Sequence, residues 1–520
     1  MRNLNRLLFA GVLLLFNHLS YSQQKSVSGT VTSVDNRPIP NVSVTIRGTT
    51  RGTQTSETGR FTISAGKGEV LVFTSVGFAR REMTVGDDNE ISVTLTATSG
   101  QLNTVEVTAL GIPRSRRSLG YATQTVKGDE VAQSQRDNFI TALAGRVAGV
   151  TVTTTSGLPG ASTAILLRGA VSMDGNNQPL FVLDGLPVDN STFIQGNMVS
   201  DGPNRNNDYG NRLMDLNPND IESINILKGP EATALYGNAG ASGAIVITTK
   251  KAKSGTARVS YDNDFRFEKI TRFPEIQQVY GRGTAGVYDP LSRVFLGPKY
   301  APGTVLYDNI EGFFKTGFTQ KHNLGVEGGS EKVAYRLSTN LLNQDGIVPQ
   351  TGYDRFSVRL TGNATISPKV DVQSSFNYIT SKTKKATKGQ FGFLLSLLTW
   401  PSDDNVKNYL NPNGSRREIS EGSTSEIDNP YWDVNRNKSE DKVDRLIANT
   451  TLTYKPLSWL SLVGAIGVDQ YATVGFTFIH PESRLGITTN GNIETFTENS
   501  KLYTGLFTAI AKKDFGKFQN

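Results

Sequence analysis

The sequence contains no cysteine and only three histidines among its 520 residues. The missing cysteine excludes a disulfide framework and every metal site built from thiolates. A zinc site would need three or four converging ligands, and His322 and His480 are far apart without a paired ligand. No serine, histidine and aspartate arrangement or carboxylate pair suggests catalysis. We therefore predict no metal, no cofactor and no enzymatic activity.

Long apolar runs are also missing, apart from one at the N-terminus. Residues 7–16 are apolar but too few to span a bilayer as a helix, and Arg2 and Arg6 precede them. Small residues follow at Ser20 and Ser22, so residues 1–22 are predicted to be a signal peptide. Only helices and closed barrels satisfy their backbones in lipid, so membrane residence would require a β-barrel.

The charge is mildly positive and scattered. Lysine and arginine number 54 against 47 acidic residues, a net charge of +7. These charges form no basic run with interleaved aromatic residues, which nucleic-acid binding would need. We therefore predict no nucleic-acid partner.

Residues 26–96 contain short alternating segments separated by turn residues, which predicts a β-sandwich of about seven strands. The run GTVTSVDNRPIPNVSVTIRGTTRGTQTSETGRFTI resembles the carboxypeptidase regulatory-like domain. That resemblance implies a fold and no catalysis.

The stretch 220–251 is organised as strand, turn, short helix, glycine turn and strand. Gly237, Gly240 and Gly243 are spaced by three, yet they follow a helix and precede a strand. A dinucleotide fingerprint has the opposite order, so we interpret these glycines as a tight turn. Further strands are predicted at 150–154, 164–168, 180–183, 221–228 and 245–249, and short helices at 129–133, 139–144 and 231–236.

Several motifs occur in the order found in one family. LGIPRSRRSLGYATQTVKGDEV, ALAGRVAGVTVTTTSGLPGASTAILLRGAVSM and QPLFVLDGLPVDN precede the stretch 220–251. Together they resemble the plug domain of the SusC/RagA family of TonB-linked outer-membrane importers, which assigns residues 111–251 to a plug. One departure is Lys228-Gly229-Pro230-Glu231, which is nearer to the pattern of siderophore-type plugs.

A linker, residues 97–110, joins the two domains. It contains an extended segment consisting of Thr104, Val105, Glu106, Val107, Thr108 and Ala109. The segment could be an edge strand of the sandwich, or a peptide that adds to a partner's sheet by β-augmentation. By position it resembles the TonB box, and this resemblance implies TonB, energised by ExbB and ExbD, as a partner.

The plug motifs supply the candidate site residues Arg168, Gly169, Asp184, Gly185, Lys228, Tyr236, Gly237, Gly240 and Gly243. Charges inside a barrel need partners, so a salt-bridged contact between plug and wall is one hypothesis for Arg168 and Asp184. For Asp184, local turn capping is the alternative.

A polar insertion, residues 190–217, is rich in Asn, Asp and Gly and therefore predicted to be a loop. Loops carry function but also vary freely. Its candidate ligand-binding residues are Asn190, Asn206, Asn207 and Tyr209.

Residues 256–520 alternate apolar and polar side chains, which predicts about eight strands of an antiparallel transmembrane β-barrel. Short and long connections alternate, as periplasmic turns and extracellular loops do. Trp400, Tyr431, Trp432 and Trp459 are interpreted as girdle or loop aromatics rather than a sugar-binding platform.

Plugged transporters need about 22 strands, so we interpret the chain as the N-terminal half of a larger receptor, either a fragment or a truncated gene product. The predicted fold is mainly β, with signal peptide, sandwich, α/β plug and partial barrel. By resemblance, the function is outer-membrane import of an oligosaccharide or peptide with a SusD-like surface lipoprotein. A siderophore or cobalamin receptor, a surface adhesion protein and a non-transporting remnant are the alternatives.

Overall fold

The computed structural model describes residues 25–33, 37–49, 51–75, 78, 80–96, 105–107, 113–115, 123–173, 177–193, 207–290, 292–389, 392–419, 427–512, 514–515 and 518–519. The predicted signal peptide, residues 1–22, lies outside them. The chain divides into two compact units. One comprises Met1–Val105 and Ser115–Arg117, and the other comprises Glu106–Arg114 and Ser118–Asn520.

The first unit is a sandwich of two sheets, in the orders β4-β1-β7 and β3-β2-β5-β6. Its strands form because apolar residues alternate with polar ones, so one face of each strand is buried. Phe61 and Phe73 meet edge to face between the sheets, with ring centroids 5.4 Å apart. The predicted seven strands are present: β1 Lys25–Ser33, β2 Ser43–Ile46, β3 Gly52–Gln54, β4 Arg60–Ala65, β5 Val70–Thr74, β6 Arg81–Thr84 and β7 Glu90–Leu95.

Two short strands lie near the boundary between the predicted linker and the predicted plug. β8 (Val105–Val107) and β9 (Pro113–Ser115) form a two-stranded sheet. Thr104, Thr108 and Ala109 of the predicted TonB box lie outside the described residues.

The plug contains a five-stranded mixed sheet in the order β10-β15-β16-β13-β14 and a separate pair, β11-β12. Every residue of β16 is buried, which explains its continuous apolar and β-branched sequence. The predicted strands lie within one residue of the observed ones, whereas β10 and β14 were not predicted. The bounds are β10 Gln124–Lys127, β11 Val150–Thr154, β12 Thr163–Leu167, β13 Leu180–Leu183, β14 Leu186–Val188, β15 Ile221–Leu227 and β16 Ala244–Thr249.

The plug helices are short. They are α1 (Gly128–Gln133) and α2 (Pro230–Tyr236), with 3-10 turns at Phe139–Leu143, Arg212–Asp215, Pro218–Asp220 and Gly237–Gly240. Helix α2 begins at a proline, whose missing N–H costs nothing at a helix start. Glu231 adds to that start because its carboxylate accepts the backbone N–H groups of Lys228 and Gly229 at 2.9 and 2.8 Å.

Eight long strands form one antiparallel sheet in the order β17-β20-β21-β22-β23-β24-β25-β26, which we call the wall. One face is apolar and exposed, as at Val333, Tyr335 and Leu337, and the other is polar and covers the plug. The predicted mainly β fold class is confirmed. The bounds are β17 Gly255–Glu268, β20 Gly317–Gly329, β21 Val333–Asp345, β22 Gly352–Ser367, β23 Val370–Lys385, β24 Lys438–Leu457, β25 Leu460–Ile479 and β26 Asn492–Ala511.

Short and long connections alternate along the wall, as predicted. The long ones pack together in a loop cluster with its own apolar core, and they contain β18 Gly283–Thr284, β19 Val287–Tyr288, α3 Asn309–Phe313, α4 Phe393–Leu398 and α5 Pro430–Arg436. Trp400 and Trp432 are buried within these loops, so they are loop aromatics and not a girdle. The last strands are β27 Asp514–Phe515 and β28 Phe518–Gln519. Among the described residues, no helix has the length and apolar character needed to cross a bilayer.

Candidate functional site between plug and wall

Three arginines on the polar face of the wall reach into the plug, and we call Arg355, Arg359 and Arg445 the arginine clamp. Arg355 and Arg359 lie on β22 and Arg445 lies on β24. Their exposed fractions are 1%, 4% and 1%. Buried guanidinium groups require charged or hydrogen-bonding partners, because the desolvation penalty is otherwise several kcal/mol. The plug and other strands of the wall supply those partners.

Asp184 of the plug pairs with Arg359 of the wall. The carboxylate Oδ2 lies 2.9 Å from Arg359 Nη2, and both side chains are buried. Asp184 also accepts the backbone N–H and the hydroxyl of Thr249 at 2.8 and 2.7 Å. Its own φ of 49° lies in the left-handed region, which Asp tolerates in turns. Asp184 therefore bridges plug to wall through its carboxylate, and its backbone forms the β13–β14 turn; the described contacts show no bond from its carboxylate to that turn, so local capping stays a prediction.

Arg445 holds the segment around the Arg212–Asp215 turn. It forms a bidentate pair with Asp469 on β25, with N–O distances of 2.8 and 2.7 Å. Its remaining N–H groups donate to the backbone carbonyls of Arg212 and Asp189 at 2.5 and 2.9 Å. The Asp215 carboxylate lies 3.2 Å away. Charge-assisted bonds of this kind are the strong ones.

Arg355 fastens the same segment from β22, two strands away from Arg445. Its Nη1 donates to the carbonyls of Met214 and Leu216 at 2.5 and 3.2 Å. Its other N–H groups donate to Asn340 Oδ1 on β21. Two wall arginines therefore bind the backbone of one short plug turn.

Asp189 links the plug to β25 and β26. Its backbone N–H donates to Asp469 Oδ2 at 2.8 Å, and Tyr471 and Ser500 donate hydroxyls to its carboxylate. Burial alone would raise the pKa of Asp189, but hydrogen bonds from Ser191 and Tyr471 hold it below its usual value. The carboxylate therefore stays charged inside the contact.

Arg168 and Lys228 remain within the plug. Arg168 ends β12 at a φ of 61°, is exposed, and makes no ion pair with the described part of the wall. The plug-to-wall hypothesis therefore stays a prediction for Arg168. Lys228 donates to Gln124 Oε1 at 2.9 Å and to the Ala148 carbonyl at 2.5 Å. Partial burial and the charge of Arg168 lower the pKa of Lys228.

The motif glycines have structural roles. A side chain at Gly243 would meet Leu167 at 2.6 Å, and its φ of 88° favours glycine. A side chain at Gly240 would meet the Ala232 carbonyl at 2.4 Å. Gly237 ends α2 with positive φ, next to Tyr236. Gly169 and Gly185 likewise follow Arg168 and Asp184 with positive φ.

The predicted ligand loop is largely internal where it is described. Asn207 and Tyr209 are buried, and the Tyr209 ring lies between Phe193, Phe496 and the Lys385 ammonium. Burial raises the pKa of Tyr209 to about 12. Asn190 accepts the backbone N–H of Leu213 at 3.0 Å. Asn206 lies outside the described residues.

Alternation along β22 predicted that Arg355 and Arg359 share the polar face, but nothing local identified their plug partners. The sequence analysis missed Arg445, Asp469 and Asp189, because their contacts join distant parts of the chain. Arg445 and Asp189, for example, are more than 250 positions apart. No group of His, Cys, Asp and Glu suited to a metal occurs in the described ranges.

Two family models match the chain. A TonB-dependent receptor plug domain matches residues 115–244, and a CarboxypepD_reg-like domain matches residues 27–108.

Curated relatives extend the similarity into the wall. TonB-dependent receptor SusC of Bacteroides thetaiotaomicron is 29% identical over 506 residues, which are 95% of this chain and 47% of that protein. TonB-dependent receptor P26 of Formosa agariphila is 29% identical over 504 residues, covering 94% of this chain and 47% of that protein. The chain thus spans just under half the length of these relatives.

Solved structures show a similar fold. The RagAB peptide importer in its open-open state has a TM-score of 0.59 at 21% identity, covering 79% of this chain and 47% of that chain. Its closed-closed state gives 0.58 at 21% identity, covering 77% and 46%. The two domain families, the relatives and the fold agree with the resemblance read from the motifs. The chain therefore contains a TonB-dependent receptor plug domain and a CarboxypepD_reg-like domain, and it is similar to TonB-dependent receptors of the SusC/RagA type.

Proposed function

We propose that the protein works in the outer membrane as a TonB-dependent importer of an oligosaccharide or peptide, with a SusD-like surface lipoprotein as its lid. The observation that carries the proposal is the arginine clamp. It fixes the plug against the polar face of the wall through Asp184, Asp189 and the 212–216 turn. Passage of a solute between the plug and this part of the wall would require some of these contacts to break, so import along that path requires work.

TonB, driven by ExbB and ExbD, would supply that work from the inner membrane. The point of attachment is residues 104–109. Within it, Val105–Val107 is extended. An extended segment binds a partner's sheet edge through backbone hydrogen bonds, which supports a mechanical connection whose side chains need little specificity.

Nutrient and lid are proposed from relatives. The similar structures are those of the RagAB peptide importer, and the similar SusC is a TonB-dependent receptor. The polar, hydrogen-bonding inner face of the wall suits a hydroxylated or peptidic solute. Co-purification of a lipoprotein with the affinity-tagged receptor would identify the lid.

The test begins with growth of a gene-deletion strain on single oligosaccharides and peptides, which identifies the nutrient. Deleting residues 104–109 is then expected to abolish its uptake while surface binding remains. Val107→Pro removes one backbone N–H and should reduce uptake strongly, whereas the control Val107→Thr keeps that N–H and should import normally. Undiminished uptake after the deletion would refute TonB-driven import. In a separate measurement, expression of the gene that is repressed by iron would indicate a siderophore receptor instead.

A further inference from the structure

A polar cavity of about 380 Å³ lies between the plug and the strands β17, β20 and β21. Its plug side is formed by α1 and the residues that surround β15 and β16, among them Asp129, Asp220 and Lys250. Its wall side includes Arg336 and Ser338 of β21. A space of this volume and polarity has room for on the order of ten water molecules.

The polar contacts that cross this cavity from plug to wall are long, as between Asn219 and Asp262 at 3.4 Å, whereas Lys250 and Asp129 pair at 3.0 Å within the plug. Ser338 is 5% exposed, and its hydroxyl has no hydrogen-bond partner among the described residues. Arg336 lies 3.5 Å from Asp220, which is longer than any ion pair of the arginine clamp. Buried polar groups of this kind are ordinarily satisfied by water. The cavity is therefore a hydrated part of the plug–wall contact.

The opposite part of the contact is strongly bonded, although Arg359 Nε and Asp215 Oδ1 also have no hydrogen-bond partner among the described residues. The clamp of β22 and β24 is fully buried, and Ile379 and Ile447 of the wall belong to the apolar core of the plug. One strong ion pair joins plug and wall near the cavity, where Arg266 of β17 lies 2.5 Å from Asp137 of the plug. Both of those side chains are about one fifth exposed, so water already reaches them.

The cavity also borders the plug element nearest to the TonB box. Helix α1 follows β10, the edge strand of the plug sheet, and β10 begins fifteen residues after Ala109, since 124 − 109 = 15. A pull on the box therefore reaches β10 and α1 before any residue of the clamp segment. Water already solvates the groups that separate there, which lowers the cost of separating them.

We infer that the path for solute opens at this cavity, between α1 and the strands β17, β20 and β21, while the clamped side of the plug stays in place. The inference rests on the proposed import function and specifies where within the plug–wall contact it occurs. Polar solute would then move along Asn, Ser and charged side chains without crossing an apolar surface.

The chain contains no cysteine, so single thiols report the opening cleanly. The matched pair is Ser338→Cys and Ser357→Cys. Both serines face inward with 5% and 4% exposure, and they lie on adjacent strands, because Ser338 pairs with Arg359 and Asn340 pairs with Ser357. Only Ser338 lines the cavity. Both serine substitutions replace one oxygen by sulfur. A third variant, Asn323→Cys on β20, repeats the test from a second strand that lines the cavity.

The probe is a small cationic methanethiosulfonate reagent, applied to cells that express the full receptor. We expect modification of Ser338→Cys to become about tenfold faster in energised cells, and to return to the resting rate with a protonophore, while Ser357→Cys stays slow. Acceleration at Ser357→Cys instead, or equally at both sites, would overturn the inference and leave import standing. No energy dependence at either site would also overturn the inference, while nutrient uptake by the same cells tests import separately.

Discussion

At the residue scale, Asp184 has two structural roles, one for its backbone and one for its side chain. Its left-handed backbone closes the β13–β14 turn, and its carboxylate meets Arg359 across the plug–wall contact. Asn also tolerates this backbone and can accept from Thr249, but it carries no charge. The turn and the ion pair can therefore be separated by substitution.

Asp184→Asn is expected to lower the free energy of unfolding by ~3 kcal/mol, because it leaves the Arg359 guanidinium buried without its counter-charge. The measurement is denaturant unfolding of the purified receptor in detergent, in a double-mutant cycle with Arg359→Gln. The double variant should recover part of the loss. A coupling energy near zero would show that the ion pair contributes nothing.

A second residue-scale prediction concerns pH and the loop cluster. Asp433 in α5 is buried. Its burial, together with the charge of nearby Asp428, raises its pKa to about 7, against the opposing effect of a hydrogen bond from Asn437. The unfolded value is ~3.9, so between pH ~4 and ~7 the folded protein holds a proton that the unfolded chain has lost. Stability should therefore fall as pH rises through this window and level off above it.

The effect should reach a few kcal/mol, since one pKa unit corresponds to ~1.4 kcal/mol. Asp433→Asn cannot titrate, so the difference in melting temperature between the variant and the parent should change across the window. Melting curves at pH 5 and pH 8 measure this difference. A difference that stays constant would mean that Asp433 does not titrate between these pH values.

At the element scale, the strands were predictable because period-two alternation is a local signal. Arg355, Arg359 and Asn363 alternate with apolar residues, and all three face inward in β22. The loop cluster was not predictable, because its core joins three separate connections of the wall and has no period of its own. For the same reason the arginine clamp could not be read from sequence: each arginine was visible, but its partner lies elsewhere in the chain.

The apolar face of the wall gives an element-scale prediction. Leu360 lies at the middle of β22 with 48% exposure and faces away from the plug. If this face contacts lipid, Leu360→Arg should destabilise folding into liposomes by ~2–4 kcal/mol, the cost of arginine near a bilayer midplane. Leu360→Met is the control and should change little. Equal folding of both variants would place this face out of contact with lipid.

At the scale of the whole molecule, the two compact units have separate apolar cores. The sandwich core is shared between its two sheets, and Phe61, Leu71 and Phe73 are almost completely buried in it. A domain of this size buries enough surface to be stable, though only marginally. The receptor is therefore expected to unfold in at least two steps.

Residues 25–96 expressed alone should fold and melt in one cooperative transition, because all core partners of the sandwich lie within them. Phe73→Ala should cost ~3–5 kcal/mol, since it removes a ring with 0% exposure and leaves a cavity against Phe61. The control Thr62→Ala changes an exposed position of β4 and should alter the melting temperature little. Circular dichroism melting curves of the parent domain, the Phe73→Ala variant and the Thr62→Ala variant measure these effects. A disordered spectrum for the parent domain would show that the sandwich depends on the rest of the receptor, whereas a cooperative melt would show that it folds independently of the plug and wall.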